Sequence, residues 1–441
     1  MDSPAHRAAS LGLGGDGSSP AVTVGGRTIS YRELAQLIER VDVHRGRLDA
    51  TDLSVTDALA TVLAAAAAGV PVLLADPAGL SEPADIAASA PAGTFLIAVT
   101  SGTSGRPRPV LRTAASWTSS FVPLAELAGL TGRDRVLLTG PLHATMHLFA
   151  AVHTLWLGAE LTDRPGRATA VHAVPAMLAD LLADLPPTAP LRTAVVTGAA
   201  LPNAIADDAS ARGIAVTEYY GAAELSFVAA ARHPGPLRPF PGADLQIRDG
   251  ELWVRSPYLA SGYAGGVSGP LRRDQDGYAS VGDLGEWLDG VDGGGLRVRG
   301  RGDAAITTGG ATVIAEDIEA ALCTLPGVAA AAVVGIPHRR LGQVVTAVLE
   351  PDGSQPDGTE PDGTEPDGRE PDGREPDGVE GVRAAARLVL NGPSLPRRWF
   401  TVRRMPRTGN GKIARAVVGQ AVRLAVAGEY LPDGLRLRPL P

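Results

Sequence analysis

The stretch Pro406-Arg407-Thr408-Gly409-Asn410-Gly411-Lys412 ends on the only lysine of a 441-residue chain whose other thirty-nine basic side chains are arginine. An ammonium is a compact point charge that can sit between two anions, whereas a guanidinium is a planar fork. A composition that uses arginine everywhere else keeps this lysine where an ammonium is required, or else as a chance survivor in a Gly-rich turn. A second stretch, Thr100-Ser101-Gly102-Thr103-Ser104-Gly105-Arg106-Pro107-Arg108, follows the apolar strand expected over 95–99. Its glycines let backbone N–H groups approach an anion, its hydroxyls donate to anionic oxygens and its arginines neutralise them, which makes a phosphate cradle. The alternative is a flexible linker. It is not a Walker loop, because no Gly-Lys-Ser/Thr follows and Pro107 opposes the helix that such a loop starts.

Two further strands, expected over 193–197 and 214–219, end in Gly198-Ala199-Ala200 and in Tyr220-Gly221-Ala222-Ala223-Glu224. Small residues at the carboxyl edge of a sheet leave room for a nucleotide. There Tyr220 could lie against a base and Glu224 could hold Mg²⁺, although an exposed Glu and a core Tyr are the bland readings. Val281-Gly282-Asp283-Leu284-Gly285 places an aspartate in a glycine turn, where its carboxylate could accept two ribose hydroxyls or merely shape the turn.

The elements that position these residues alternate in α/β fashion. Strand-like 22–24 and 28–31 flank Gly25-Gly26 as a hairpin, and Ser30 with Glu33 forms a capping box for a helix over 31–41. A helix at 56–68 and a strand at 70–74 follow, then a strand at 135–139 and a helix at 147–157. The segments 251–254 and 297–298 read as strands of a more antiparallel region, and a helix is expected over 315–325. Residues 1–20 read as a flexible tail. The length implies two or three domains.

Hydrophobic residues at 44% with a mean hydropathy of +0.07 describe a globular chain. The start lacks a secretory pattern, and the apolar run 58–75 is interrupted by Gly69-Val70-Pro71, so a cytoplasmic protein without a membrane span is expected. The single Cys323 excludes an intrachain disulfide and a multi-cysteine metal site, and reads as a small buried hydrophobe. Residues 351–380 are six five-residue units opening Pro-Asp-Gly, with six Asp, five Glu and two Arg. Their net charge of −9 accounts for the −8 of the whole chain, so the rest is nearly neutral. The unit is turn chemistry without an apolar face, expected as a disordered acidic insert, and its spacing fits neither an EF-hand nor a Ca²⁺-binding β-helix repeat. Nothing interleaves aromatic and basic residues as a nucleic-acid surface would.

Taken in order, TSGTSGRPRP, YYGAAE, SVGD, GRGD with GGATVIAEDIE, and PRTGNGK resemble the adenylate-forming (AMP-binding) superfamily over about residues 28–415, most closely its acyl-CoA synthetases. The resemblance implies a large α/β N-terminal domain (21–302) of layered sheets plus a small β region, and a small mobile α+β lid domain (303–441). It implies ATP, Mg²⁺ and coenzyme A, or a carrier-protein phosphopantetheine, as cofactors, and a small-molecule carboxylic acid as partner. A carboxylate attacks the α-phosphorus of ATP to give acyl-AMP and pyrophosphate, and a thiol then takes the acyl group.

By the same resemblance, Thr100, Ser101, Gly102, Thr103, Ser104 and Gly105 hold the β- and γ-phosphates, with Arg106 and Arg108 near the leaving pyrophosphate. Gly198, Ala199, Ala200, Tyr219, Tyr220, Gly221 and Ala223 frame the nucleotide. Asp283 takes the ribose, with Arg301 beside it. Glu224 binds Mg²⁺, and Lys412 bridges the acid oxygen and the α-phosphate. Asp303 matches the hinge and Gly309-Gly310 the thiol-side loop, while His143 and His147 fall near the acyl pocket with the register off by one. The sequence departs from the family at Ala223, where a threonine is usual, and at Arg108, where a lysine is usual; its N-terminal part is also short. The paired glycines favour a CoA ligase. A stand-alone adenylating enzyme serving a carrier protein or an amine, and a non-catalytic nucleotide binder, are the alternatives.

Overall fold

The computed structural model describes residues 11–76, 90–100, 108–289, 294–301, 305–308, 311–352, 381–390, 392–408, 411–429 and 435–440. The chain divides into two compact units, Met1–Val298 with Thr408–Lys412, and Arg299–Arg407 with Ile413–Pro441.

In the first unit the hairpin Pro20–Val24/Arg27–Ser30 buries Val22 and Ile29. Ser30 then starts the helix Tyr31–Glu39: the Glu33 amide donates to Ser30 Oγ at 3.3 Å, and the Ser30 amide donates to Glu33 Oε2 at 2.7 Å. That reciprocal pair satisfies two orphan donors of the first turn. Residues 11–20 do not behave as the expected tail. Leu11 is buried, the Gly14 amide donates to Leu155 O at 3.0 Å, and Pro20 opens the first strand.

The hairpin forms one edge of a nine-stranded sheet that continues through Glu160–Thr162, Arg135–Leu137, Ala170–Ala173, Thr193–Val196, Ala215–Ala222, Ser226–Arg232 and Arg238–Pro239. From Pro20–Val24 to Ala215–Ala222 the neighbours are parallel, and the last three strands are antiparallel. Buried runs such as TAVV and AVHA are what a parallel sheet covered on both faces requires. The helices Thr145–Leu157, Pro175–Asp184 and Asn203–Ala211 provide crossovers. A second, five-stranded sheet runs Gly262–Tyr263, Arg108–Thr113, Thr94–Thr100, Val72–Leu74, Leu48–Asp49. A third, of six strands, holds Glu251–Arg255, Asp283–Leu288 and Gly295–Arg301, in the expected antiparallel region. Edge-to-face contacts from Phe95 through Trp117 and Phe149 to Phe121, each at 5.4–5.5 Å, tie part of this core together.

The second unit wraps helices Ala315–Leu322, Val382–Val389 and Arg415–Ala427 around a six-stranded sheet centred on the hairpin Val328–His338/Gly342–Pro351. The first of these helices stops three residues before the expected 325, and Cys323, partly rather than fully buried, is its C-cap. Pro351, counted with the acidic repeat from the sequence, is the last residue of a strand. Residues 353–380 lie outside the described residues. No helix among the described residues is long and apolar enough to cross a membrane.

Candidate nucleotide and acid-activation site

The strand expected to stop at 219 continues to Ala222, so Tyr220, Gly221 and Ala222 are strand residues and only Ala223-Glu224-Leu225 turn the chain into Ser226–Arg232. The turn is tight. The Leu225 amide donates to Ala222 O at 3.1 Å, and Leu225 is buried. Gly221 faces the returning strand so closely that a Cβ would lie 2.0 Å from Ser226 O. Gly221→Ala must therefore push the two strands apart. We expect it to cost about 1–3 kcal/mol, as over-packing does, read as a lower midpoint in urea denaturation.

The turn draws Glu224 inward until it is 4% exposed. Its Oε1 accepts a hydrogen bond from the Tyr263 hydroxyl at 2.8 Å, and its carbonyl accepts from the Ala260 amide at 2.8 Å. Burial, and then the neighbouring Glu224 charge, push the Tyr263 phenol far above its ordinary range, so it remains a donor. Among the described residues no three His, Cys, Asp or Glu side chains gather as a metal cluster. Mg²⁺ needs only one or two carboxylates when phosphates and waters complete its shell, so a lone buried Glu224 fits that ion.

Tyr220 and Asp283, 63 residues apart, meet: the Tyr220 hydroxyl donates to Asp283 Oδ2. Asp283 is buried and opens the strand Asp283–Leu288 instead of sitting in an open glycine turn. Tyr219 turns its ring onto Phe227, with centroids 4.5 Å apart, and its hydroxyl bonds Thr197. It is a wall of the core more than a face offered to a nucleotide.

After the strand Thr193–Val196 the chain turns at Gly198, whose φ of +92° lies in the left-handed region. A Cβ there would stand 2.9 Å from Lys412 Cε and 3.0 Å from Val174 Cγ1. Lys412 belongs to the same unit. Its own loop is closed by the Thr408 amide donating to Lys412 O at 2.7 Å and the Gly411 amide donating to Thr408 O at 2.8 Å. Ala199 and Ala200 are exposed on the same turn. The Leu201 amide donates to Glu218 Oε1 at 3.1 Å, and burial raises the Glu218 carboxyl above its usual range.

Thr100 ends one strand and Arg108 begins the next, antiparallel to it, with Arg108 half-buried close to Tyr263. Between them Ser101, Gly102, Thr103, Ser104, Gly105 and Arg106 lie outside the described residues, as do Asp303, Gly309 and Gly310. Arg301 is the last residue of the strand Gly295–Arg301.

The two histidines part company. His143 is partly exposed, its Nε2 3.9 Å from Asp76 Oδ2. His147 does not line an open pocket. It is 1% exposed, and its Nε2 is buried with no partner among the described residues. Thr139 Oγ1 donates to His172 O at 2.8 Å, so the same hydroxyl accepts from His147 Nδ1–H at 3.1 Å and fixes the tautomer. Burial, with His143 adding to it, lowers the His147 pKa to about 4. The helix begins at Thr145, which turns His147 into the core.

Sequence reasoning missed Arg112, Tyr263 and Glu218. Tyr263 in GYAGG and Arg112 in RPVLRT each follow an expected feature closely, but neither carries a local signal of its partner.

The AMP-binding enzyme family model matches residues 43–264, and that of the AMP-binding enzyme C-terminal domain matches residues 317–412. A probable 2-succinylbenzoate–CoA ligase of Mycobacterium tuberculosis is 31% identical over 344 residues, spanning 73% of this chain and 83% of that protein. An uncharacterized acyl–CoA ligase of Bacillus subtilis is 28% identical over 363 residues, 74% of this chain and 68% of that protein. In fold, the chain is similar to the o-succinylbenzoate CoA synthetase of Bacillus subtilis solved with its acyl-adenylate intermediate. The TM-score is 0.72 at 21% identity, covering 90% of this chain and 95% of that one.

Proposed function

The chain belongs to the AMP-binding enzyme family, and on that premise we propose that it is an AMP-forming acid–thiol ligase that activates a carboxylic acid and passes the acyl group to coenzyme A. The observation that carries this reading is the chain's single lysine lying against Gly198, at the carboxyl edge of the parallel sheet, the edge at which sheets of this kind bind their ligands.

In the first half, an oxygen of the substrate carboxylate attacks the α-phosphorus of ATP. The bond from that phosphorus to the α,β-bridging oxygen breaks, and pyrophosphate leaves with the electron pair. An anion approaching a polyanion is the physical obstacle, so catalysis is positioning plus charge neutralisation. Lys412 places its ammonium where the acid oxygen meets the α-phosphate, Arg108 adds charge on the pyrophosphate side, and Asp283, oriented by Tyr220, accepts the ribose hydroxyls. Glu224 would hold Mg²⁺, which when bound spreads the phosphate charge. In the second half the thiolate of coenzyme A attacks the acyl carbon, and AMP leaves as the mixed-anhydride C–O bond breaks.

A panel of fatty, aryl and keto acids assayed for pyrophosphate release, with and without coenzyme A, tests this directly. We expect release that requires one class of acid and turns over steadily only when coenzyme A is present. Release with no dependence on any acid would overturn the reading, and turnover that ignores coenzyme A would move the acceptor to a carrier protein or an amine.

A further inference from the structure

Arg112 is a cation kept in the protein interior at 2% exposure. Its pKa is lowered to about 10 by burial, against the pull of Glu224, so it stays charged at neutral pH. Among the described residues it makes no ion pair with a carboxylate within 4 Å. Its guanidinium instead donates to two main-chain carbonyls, Ala223 O at 2.5 Å through Nη2 and Tyr258 O through Nη1. An apolar side chain at this strand position would avoid the desolvation cost of a buried charge. Something specific is gained by the fork, and its two acceptors say what: one is the peptide carbonyl immediately before Glu224.

The surroundings repeat the pattern. Gly262–Tyr263 pairs with the strand that carries Arg112, Tyr263 opposite Val110. From this short strand the Tyr263 hydroxyl reaches Glu224 Oε1, and two residues before it the Ala260 amide holds Glu224 O. The turn of the large sheet is thus gripped by the neighbouring five-stranded sheet at the carbonyl before Glu224, at its own carbonyl and at its carboxylate. The hairpin turn alone would leave that side chain free to choose rotamers.

We infer that Arg112 and Tyr263 are positioning residues for Glu224: Arg112 fixes its backbone through the Ala223 carbonyl, and Tyr263 fixes one carboxylate oxygen so that the other faces the divalent ion of the nucleotide. The inference rests on the proposed ATP-dependent reading of the site. It also gives Ala223 a place. Where the family has a threonine, this chain keeps only the carbonyl that Arg112 holds.

The test measures Mn²⁺ uptake by the ATP complex of the full chain, by electron paramagnetic resonance, with neither acid nor thiol present. Tyr263→Phe should weaken Mn²⁺ binding by roughly tenfold, the worth of one hydrogen bond to a charged acceptor, while ATP affinity without a divalent ion is unchanged. Arg112→Met should weaken it at least as much, and Arg112→Lys should recover part of the loss. A Tyr263→Phe protein with the parent's Mn²⁺ affinity overturns the inference even if Arg112→Met fails to fold, and so does a parent whose ATP complex takes up no Mn²⁺. Weakened Mn²⁺ uptake in a protein that releases pyrophosphate with no acid would keep the clamp and remove the ligase reading. Acid-dependent release with unaltered Mn²⁺ affinity would do the reverse.

Discussion

Lys412→Met is expected to lower acid-dependent pyrophosphate release by about 10²–10³-fold, the loss of roughly 3–4 kcal/mol that follows removal of one preorganised charge from a reaction centre. The side chain is well suited to report on that step because its loop is held independently of its head group. The backbone bonds from Thr408 and Gly411 close the loop without the ammonium. A methionine keeps the stem that lies against Gly198 and removes only the charge. Lys412→Arg should not restore the rate, since a planar fork cannot occupy a point-charge position between two oxygens. Gly198→Ala should give an intermediate loss: its Cβ meets both Lys412 Cε and Val174 Cγ1, and its φ of +92° strains any side chain. Single-turnover pyrophosphate release separates these effects from the thiol step. A Lys412→Met protein that activates acids at the parent's rate would remove the lysine from the chemistry.

What could be read from the chain is what is local. The capping box of Ser30 and Glu33 spans four residues, and the structure has both of its hydrogen bonds. The parallel strands are apolar runs ending in small residues, and those small residues have steric reasons: Gly221 faces Ser226 O and Gly198 faces the lysine stem. The unique lysine stood out because composition supplied the contrast. What could not be read is what folding brings together from afar. Arg112 and Ala223 are 111 residues apart, Tyr220 and Asp283 63, and Tyr263 and Glu224 39; no periodicity encodes such pairs. Asp283 reads as a turn aspartate because glycines flank it, yet the strand begins on it and buries it. The helix start at Thr145 decides the fate of His147, and helix ends are the least legible feature of a sequence. The segment 11–20 looks loose because it is rich in glycine and serine. Close approach to the end of the helix Thr145–Leu157 is what its glycines permit.

Acidification from pH 7.5 to 5 is expected to remove on the order of 4–6 kcal/mol from the stability of the first unit, through three imidazoles buried in one core. His147 and His153 are each lowered to about 4 and His172 to about 3, with burial the leading cause in all three. His172 is depressed further by His153 and His147, and His147 by His143, so a proton on either of the helix histidines makes His172 harder to protonate. In the unfolded chain each titrates near 6.5. Between that value and its folded pKa, an unfolded histidine binds a proton that the folded one refuses. The stability they allow is therefore complete above about pH 6.5 and falls as the pH drops toward 4, by roughly 2 kcal/mol for each ring at pH 5. A domain stable by about 5–15 kcal/mol has little left after three such losses. Denaturant midpoints at pH 7.5 and 5.0 measure the change. His153 offers the control, because its ring already packs among Phe121, Phe149 and Trp156 at 5.1–6.1 Å and its one polar contact among the described residues is the Phe121 carbonyl. His153→Phe should lose about a third of the pH dependence while giving up that single hydrogen bond. A variant whose midpoint still shifts with pH as steeply as the parent's would mean that these buried rings are not what acid attacks.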